Sequence, residues 1–413
     1  MGMQSMISHY FANVTVHGLC CFVIFVKRGL LEIARSIVLA PLLSTKEIPH
    51  VTHVDTVHNK LILTKCPSLT SFQPLWWAVG AYAQTLALAF KPEPMSQYRR
   101  EMFALGDGVE VALDWKEGPE MDAQTPLVVC LHGLGGDRNS RYLQVFTDVA
   151  LNRGYRTVVY NRRGHGLVSL LPPNGLSYAD TLVNDDLILF PRHNNMKDML
   201  HVVDHINTVY PDAPKYMIGF SCGANLAINY LEHMGTDNPF IASCSISNGY
   251  DIWQGTTILR RRDPICDGVA CQFLKDLLGQ GRLKESKELA KAAGIDIDFD
   301  AVMRSKSLQE LDKLLLVPAY GYPDIEEYYA DDSCHTRINS VKSPLLCIGT
   351  KRDPLVDTTM LNIPITAAKM NANVITVVTE HGGHIGWLED LETDPWYTRV
   401  YFEYIDAITK IDI

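Results

Sequence analysis

Ser221 stands in the pentapeptide Gly219-Phe-Ser-Cys-Gly223, between the apolar run Tyr216 to Phe220 and a segment of helical spacing, Cys222 to His233. A serine hydroxyl becomes a useful nucleophile only beside a base, and G-x-S-x-G between strand and helix is the nucleophile elbow that displays such a serine at a sheet edge. Glycines on either side remove the β-carbons that would clash where strand and helix approach. The helix start beside Ser221 favours the negative charge of acyl transfer, and the Cys222 N–H is the first expected oxyanion donor.

The base is sought among fourteen histidines. In open parallel sheets chemistry collects at the carboxyl ends of strands, which selects His384, in the loop Thr379-Glu-His-Gly-Gly-His after the last apolar run, Val374 to Val378. His381 competes from the same loop. His132 and His165 follow other strand ends and read as loop-shaping residues. The imidazole needs a carboxylate to fix its tautomer and stabilise the imidazolium. Asp353 follows the strand-like Leu345 to Ile348 in a loop stiffened by Pro354; Asp357 is the runner-up in that loop, and Asp332 belongs to another segment. The order Ser221, Asp353, His384 is the one this chemistry uses on α/β sheets. A second oxyanion donor is expected in His132-Gly-Leu-Gly-Gly136, with Leu134 the best placed N–H. That chemistry requires no metal or organic cofactor.

The elements that must position these groups alternate along the chain. Val109–Trp115, Leu127–Leu131, Thr157–Tyr160, Tyr216–Phe220, Ile241–Ser247, Leu345–Ile348 and Val374–Val378 read as strands. Arg141–Asn152, Met196–Tyr210, Cys222–His233 and Trp396–Ile408 have helical spacing. The alternation implies an α/β chain, a mostly parallel sheet with helices on both faces. From about 250 to 341 charged, helix-spaced segments interrupt the pattern. This insertion, near the active edge, is expected to form a helical lid. The expected organisation is an N-terminal segment over 1–68 and a catalytic domain over 69–413.

A chain of 413 residues and 46.2 kDa buries a large core. A net charge of -10 and a pI near 5.8 exclude an electrostatic grip on nucleic acid, and the basic run Arg260 to Arg262 reads as a solvated loop. The ten cysteines show no C-x-x-C pair or metal-like spacing, so the chain reads as intracellular and reduced. Cys20, Cys21, Cys66, Cys266, Cys271 and Cys334 are those able to pair in an oxidising compartment. Ile7 to Val26 has no Asp, Glu, Lys or Arg, is just long enough to span a bilayer, and ends at Lys27-Arg28, which would hold the catalytic part on the cytoplasmic side. The second uncharged run, Leu69 to Phe90, is broken by Gln73, Pro74, Gly80 and Gln84 and reads as a packed or lipid-touching amphipathic element.

From about Cys66 onward the chain carries Trp77 with Gln84-Thr85, Tyr98-Arg-Arg-Glu, Asp107-Gly108, Leu113-Asp-Trp115, His132-Gly-Leu-Gly-Gly136, Asn161-Arg-Arg-Gly164, Gly219-Phe-Ser-Cys-Gly223, Tyr328-Tyr329, Asp353-Pro354 and Gly382-Gly-His384. Through these residues it resembles the AB hydrolase 4 family of α/β-hydrolase-domain-containing proteins. The resemblance implies the α/β-hydrolase fold, a triad on Ser221, Asp353 and His384, hydrolysis of lipid-like esters such as monoacylglycerols, medium-chain acyl esters or phospholipids, and membrane association through the N-terminal segment. The chain departs from the family at Gly80-Ala-Tyr-Ala, Arg352 and Cys222, which bears on substrate preference. An H-x4-D spacing that some relatives share, read there as acyltransferase activity, occurs twice, at His132–Asp137 and His193–Asp198. Two other functions use the same residues differently. An alcohol acyltransferase would let an alcohol outcompete water for the acyl-enzyme, and a catalytically silent binding protein would keep only the fold.

Overall fold

The computed structural model describes residues 16–39, 46–92, 97–171, 192 and 194–411. Among the described residues nine strands form one sheet: β1 (His50–Thr52), β2 (Arg99–Ala104), β3 (Glu110–Lys116), β4 (Leu127–Leu131), β5 (Arg156–Asn161), β6 (Lys215–Phe220), β7 (Phe240–Ile246), β8 (Leu345–Thr350) and β9 (Val374–Thr379). Their order is β1-β9-β8-β7-β6-β4-β5-β3-β2. Strands β4 to β9 are parallel, whereas β1 and the β2–β3 pair close the two edges antiparallel.

Parallel strands bury both faces, and the side-chain alternation sorts them. Val128, Cys130, Ile218, Phe220, Cys244 and Ile246 pack with the helices Arg141–Asn152 and Trp396–Ile411, through Phe146, Trp396, Tyr401 and Phe402. Leu127, Val129, Leu131 and Met217 pack on the other face with the helices Met196–Val209 and Cys222–Met234, through Met199, Val202, Leu226 and Tyr230.

Between β7 and β8 the chain forms the helices Ile252–Arg262, Pro264–Leu277, Leu283–Ala292, Phe299–Arg304, Leu308–Ala319 and Ile325–Asp332, with a core of their own around Leu289, Val302, Leu311, Leu315, Tyr328 and Tyr329. Arg260 to Arg262, expected in a loop, form the last turn of the first of these helices, where basic side chains complement the carbonyl end. Arg262 also pairs with Asp357 at 2.8 Å.

The amino-terminal half departs most from the sequence expectation. Strand β1 and the helix Val57–Thr64, assigned by sequence to the N-terminal segment, belong to the sheet edge and its helical layer: His50, Val51 and Thr52 pair with Val378, Val377 and Thr376. The run Leu69 to Phe90 holds a short helix, Ala81–Ala87, whose Ala83 and Ala87 pack against Leu75, Ala78 and Leu388. Residues 7–15 of the first uncharged run lie outside the described residues. From Val16 a helix continues through Lys27-Arg28 to Leu39, and among the described residues no helix is long and apolar enough to cross a membrane. One face of Val16–Leu39 docks on the protein: Cys21 and Phe25 join Leu259, Cys266 and Val269, Arg28 binds Asp263 and Tyr82, and Glu32 accepts the Ala83 N–H at 2.9 Å. None of the ten cysteines is in a disulfide.

Candidate active site

Ser221 follows β6 with φ 53° and ψ −119°, a strained conformation that precedes helix Cys222–Met234 directly. The tight turn depends on its flanking glycines. A β-carbon on Gly219 would lie 2.5 Å from the Gly223 carbonyl oxygen, and one on Gly223 would lie 2.3 Å from the Leu131 oxygen and 2.6 Å from the His132 oxygen. Gly223→Ala is therefore expected to lower unfolding free energy by ~1–3 kcal/mol or more, because the obstruction is backbone and cannot swing aside; urea denaturation measures it.

His384 and Asp353 meet across the β8 and β9 loops. His384 Nδ1 lies 3.0 Å and 2.9 Å from the two Asp353 carboxylate oxygens, and both side chains are largely buried. Asp353 is fixed in turn by the N–H groups of Leu355 and Val356, at 2.8 and 3.0 Å on Oδ1. Burial by itself would depress the His384 imidazole. The adjacent Asp353 charge and the hydrogen bond to it, with a further contribution from Cys222, more than offset that and hold it above its ordinary value. Facing an anionic carboxylate, Nδ1 carries the proton and Nε2 is left as the acceptor.

The strand ends bring this pair to the elbow. Ser221 N–H donates to the Ile246 carbonyl at 2.8 Å, and Ile385 N–H donates to Ser247 Oγ at 3.1 Å, so Ser221 and the residue after His384 are both tied to the carboxyl end of β7. The Ser221 hydroxyl is not hydrogen-bonded to His384 here. Such contacts are often long in ligand-free sites and tighten with substrate.

The competing residues have other partners. His381 donates its backbone N–H to Glu47 at 3.1 Å, with its ring Nδ1 3.7 Å from the same carboxylate. Asp357 caps the turn at Thr359 and binds Arg262. Asp332 lies in the insertion and pairs with Arg192. His132 and His165 are buried beside the Gly-rich loop with ring centroids 4.6 Å apart, and burial first, then Arg162, keep both imidazoles low, His165 to about 3. The H-x4-D spacing does not correspond to a paired unit. His132 Nδ1 donates to the Gly133 carbonyl, Asp137 caps the turn at Asn139, and Asp198 binds Arg163, while His193 lies outside the described residues.

The loop carrying Leu134 approaches Ser221 closely: a β-carbon on Gly133 would lie 3.2 Å from Ser221 Cβ. Leu134 itself packs against the core of the insertion, and a β-carbon on Gly135 would touch Phe273 of helix Pro264–Leu277 at 3.4 Å. Apolar surface thus stands beside the elbow.

Several supports escape sequence reasoning. Thr85 Oγ1 accepts the His384 N–H at 2.9 Å, and Gln84 grips Leu388 from both sides, donating to its carbonyl at 3.0 Å and accepting its N–H at 2.9 Å. Tyr142 Oη accepts the Gly133 N–H at 2.8 Å. The Gln84-Thr85 pair was visible as part of the family resemblance, but nothing local in the sequence assigns it this task.

Residues 126–249 match the family model described as alpha/beta hydrolase fold. Phospholipase ABHD3 of Homo sapiens is 31% identical over 361 residues, covering 85% of this chain and 83% of that protein. The chain belongs to the AB hydrolase 4 family of the α/β-hydrolase superfamily. It is a carboxylic ester hydrolase. Monoacylglycerol lipase ABHD2 of Homo sapiens is 24% identical over 388 residues, covering 88% of this chain and 86% of that protein. Among solved structures, the Pyrococcus furiosus esterase Pf2001 is similar at 16% identity and a TM-score of 0.46, over 76% of this chain and 93% of that one. The elbow, the two loops and the Gly-rich turn described above all lie at the carboxyl ends of the parallel strands.

Proposed function

We propose that this family member hydrolyses carboxylic esters of acylglycerols or glycerophospholipids through an acyl-Ser221 intermediate. The observation that carries the reading is the His384–Asp353 pair, bidentate at 2.9 and 3.0 Å and tied through Ile385 and Ser247 to the strand end that holds the elbow. Ser221 Oγ attacks the ester carbonyl and passes its proton to His384 Nε2, while Asp353 stabilises the imidazolium. The oxyanion is received by the N–H groups of Leu134 and Cys222. Collapse of the tetrahedral intermediate expels the alcohol, which takes the proton from Nε2. Water then repeats the sequence on the acyl-enzyme and frees the acid.

The lipid preference draws on the similarity to a phospholipase and a monoacylglycerol lipase, and on the insertion, whose apolar core reaches Leu134 and acts as the lid. A panel of monoacylglycerols, lysophosphatidylcholines and p-nitrophenyl esters of rising acyl length tests it. We expect kcat/KM to rise with acyl length and added glycerol to leave the yield of free acid unchanged. A preference for short, charged esters contradicts the reading.

The enzyme works at a lipid surface. The solvent face of helix Val16–Leu39 exposes Val23, Ile24, Leu30, Leu31 and Val38 on one side, with Lys27 among them and Arg35 at their edge, while its other face is docked on the protein. That pattern suits a helix lying in the headgroup plane of an anionic membrane. Burying a Leu contributes ~1.5–3 kcal/mol, so Leu30→Glu with Leu31→Glu is expected to lower binding to phosphatidylserine-containing vesicles by more than ~10-fold. Activity on soluble p-nitrophenyl butyrate stays unchanged.

A further inference from the structure

Arg162 and Arg163 are adjacent and almost fully buried, at 4% and 2% exposure, yet their surroundings differ. Arg163 is paired with Asp198 at 2.6 and 2.7 Å and with Asp107 at 2.6 Å. Arg162 has no carboxylate within 4 Å among the described residues, and its buried Nε has no hydrogen-bond partner. Its Nη2 reaches only the Gly133 carbonyl, at 3.4 Å, and lies 3.5 Å from His132 Nδ1. Its backbone N–H donates to His132 Nε2 at 3.3 Å. The histidine therefore carries its proton on Nδ1, where it too donates to the Gly133 carbonyl, at 2.8 Å. The neighbouring imidazoles of His132 and His165 are kept neutral by burial and by Arg162 itself, so they add no second positive charge, and an imidazole can supply no counter-charge. A buried guanidinium without a counter-charge opposes folding, and it persists where function uses it.

Its position indicates the use. The Gly133 carbonyl collects three donors: His132 Nδ1, Arg162 Nη2 and the Gly136 N–H at 3.1 Å. The other end of that planar trans peptide is the Leu134 N–H, which points opposite to the carbonyl. Donors on a carbonyl polarise the amide and strengthen its N–H as a donor. We propose that Arg162 is a positioning residue for the oxyanion: it holds and polarises the Gly133–Leu134 peptide, and its uncompensated positive charge beside the elbow favours the negative oxygen of the tetrahedral intermediate. The inference rests on the Ser221 acyl-enzyme reading and on Leu134 as donor.

The test compares full-length wild type with Arg162→Met, Arg162→Lys and Arg162→Gln, with Ser221→Ala in parallel. The readouts are kcat and KM on p-nitrophenyl octanoate, inhibition by an alkyl trifluoromethyl ketone, whose serine adduct carries an oxyanion, and thermal melting. Loss of a direct oxyanion donor lowers kcat by ~10²–10³, so Arg162→Met is expected to lower kcat by ~10- to 100-fold with KM within ~2-fold. Ketone inhibition weakens by a similar factor, while Tm stays level or rises because an unpaired buried charge has been removed. Arg162→Lys recovers part of kcat and ketone affinity. Should Arg162→Met not fold, Lys must still exceed Gln in both. Unchanged kcat, or a kcat loss accompanied by a lower Tm and no recovery with Lys, overturns the proposal. An active Ser221→Ala instead removes the acyl-enzyme reading beneath it.

Discussion

Ser221→Ala is expected to lower kcat by ~10⁶-fold, leaving the residual ~10³-fold acceleration over water that binding and the oxyanion donors supply without a nucleophile. Stability should hardly move. The Ser221 hydroxyl caps no helix N–H, and Ala enters the positive-φ turn with the same backbone strain as Ser, so the change should stay within ~0.5 kcal/mol by urea denaturation. The pairing of a very large kinetic effect with a negligible stability effect separates a nucleophile from a structural serine. A catalytically silent relative of the fold would have no activity for the substitution to remove.

The second large effect is expected for Asp353→Asn, at ~10⁴-fold in kcat, because an amide facing Nδ1 no longer fixes the tautomer that leaves Nε2 free to accept a proton. The pH profile should change with it. In the wild type, burial opposes and Asp353 favours the imidazolium, and the net result is a pKa above the ordinary ~6.5. The base works only when neutral, so wild-type kcat/KM should fall as pH drops through that raised value. With Asn the burial penalty is opposed only by the Cys222 contribution, and the limb should move to lower pH. Stability has the opposite sense. A raised histidine pKa stabilises the fold fully below the unfolded value and loses that contribution as pH climbs through the folded one. Wild type should therefore lose a small stability increment across that window, and the Asn variant should not.

Much of this site was legible in sequence because its signals are local. Gly219 and Gly223 flank Ser221 within five residues, and Asp353 and His384 sit on loops directly after apolar strands. The parallel core was legible for the same reason, as strands and helices of ordinary length alternate. What escaped acts across long separations or is very short. Strand β1 has three residues, too few for a period to register, and its place is set by pairing with β9 more than 320 residues later. Gln84 and Thr85 act on a loop about 300 residues away. Lys27-Arg28 looked like the end of an apolar span, yet the helix continues through it because Arg28 meets Asp263, 235 residues on. Arg162 and Arg163 are indistinguishable as letters, and only the fold gives one its carboxylates and leaves the other without.

The central claim is that one serine carries the acyl group. Wild-type enzyme labelled with an alkyl fluorophosphonate, digested and mapped by mass spectrometry tests it most directly. The account predicts a single adduct on Ser221, formed in step with loss of esterase activity and absent from Ser221→Ala. An adduct on another residue, or full inactivation with Ser221 unmodified, would contradict it.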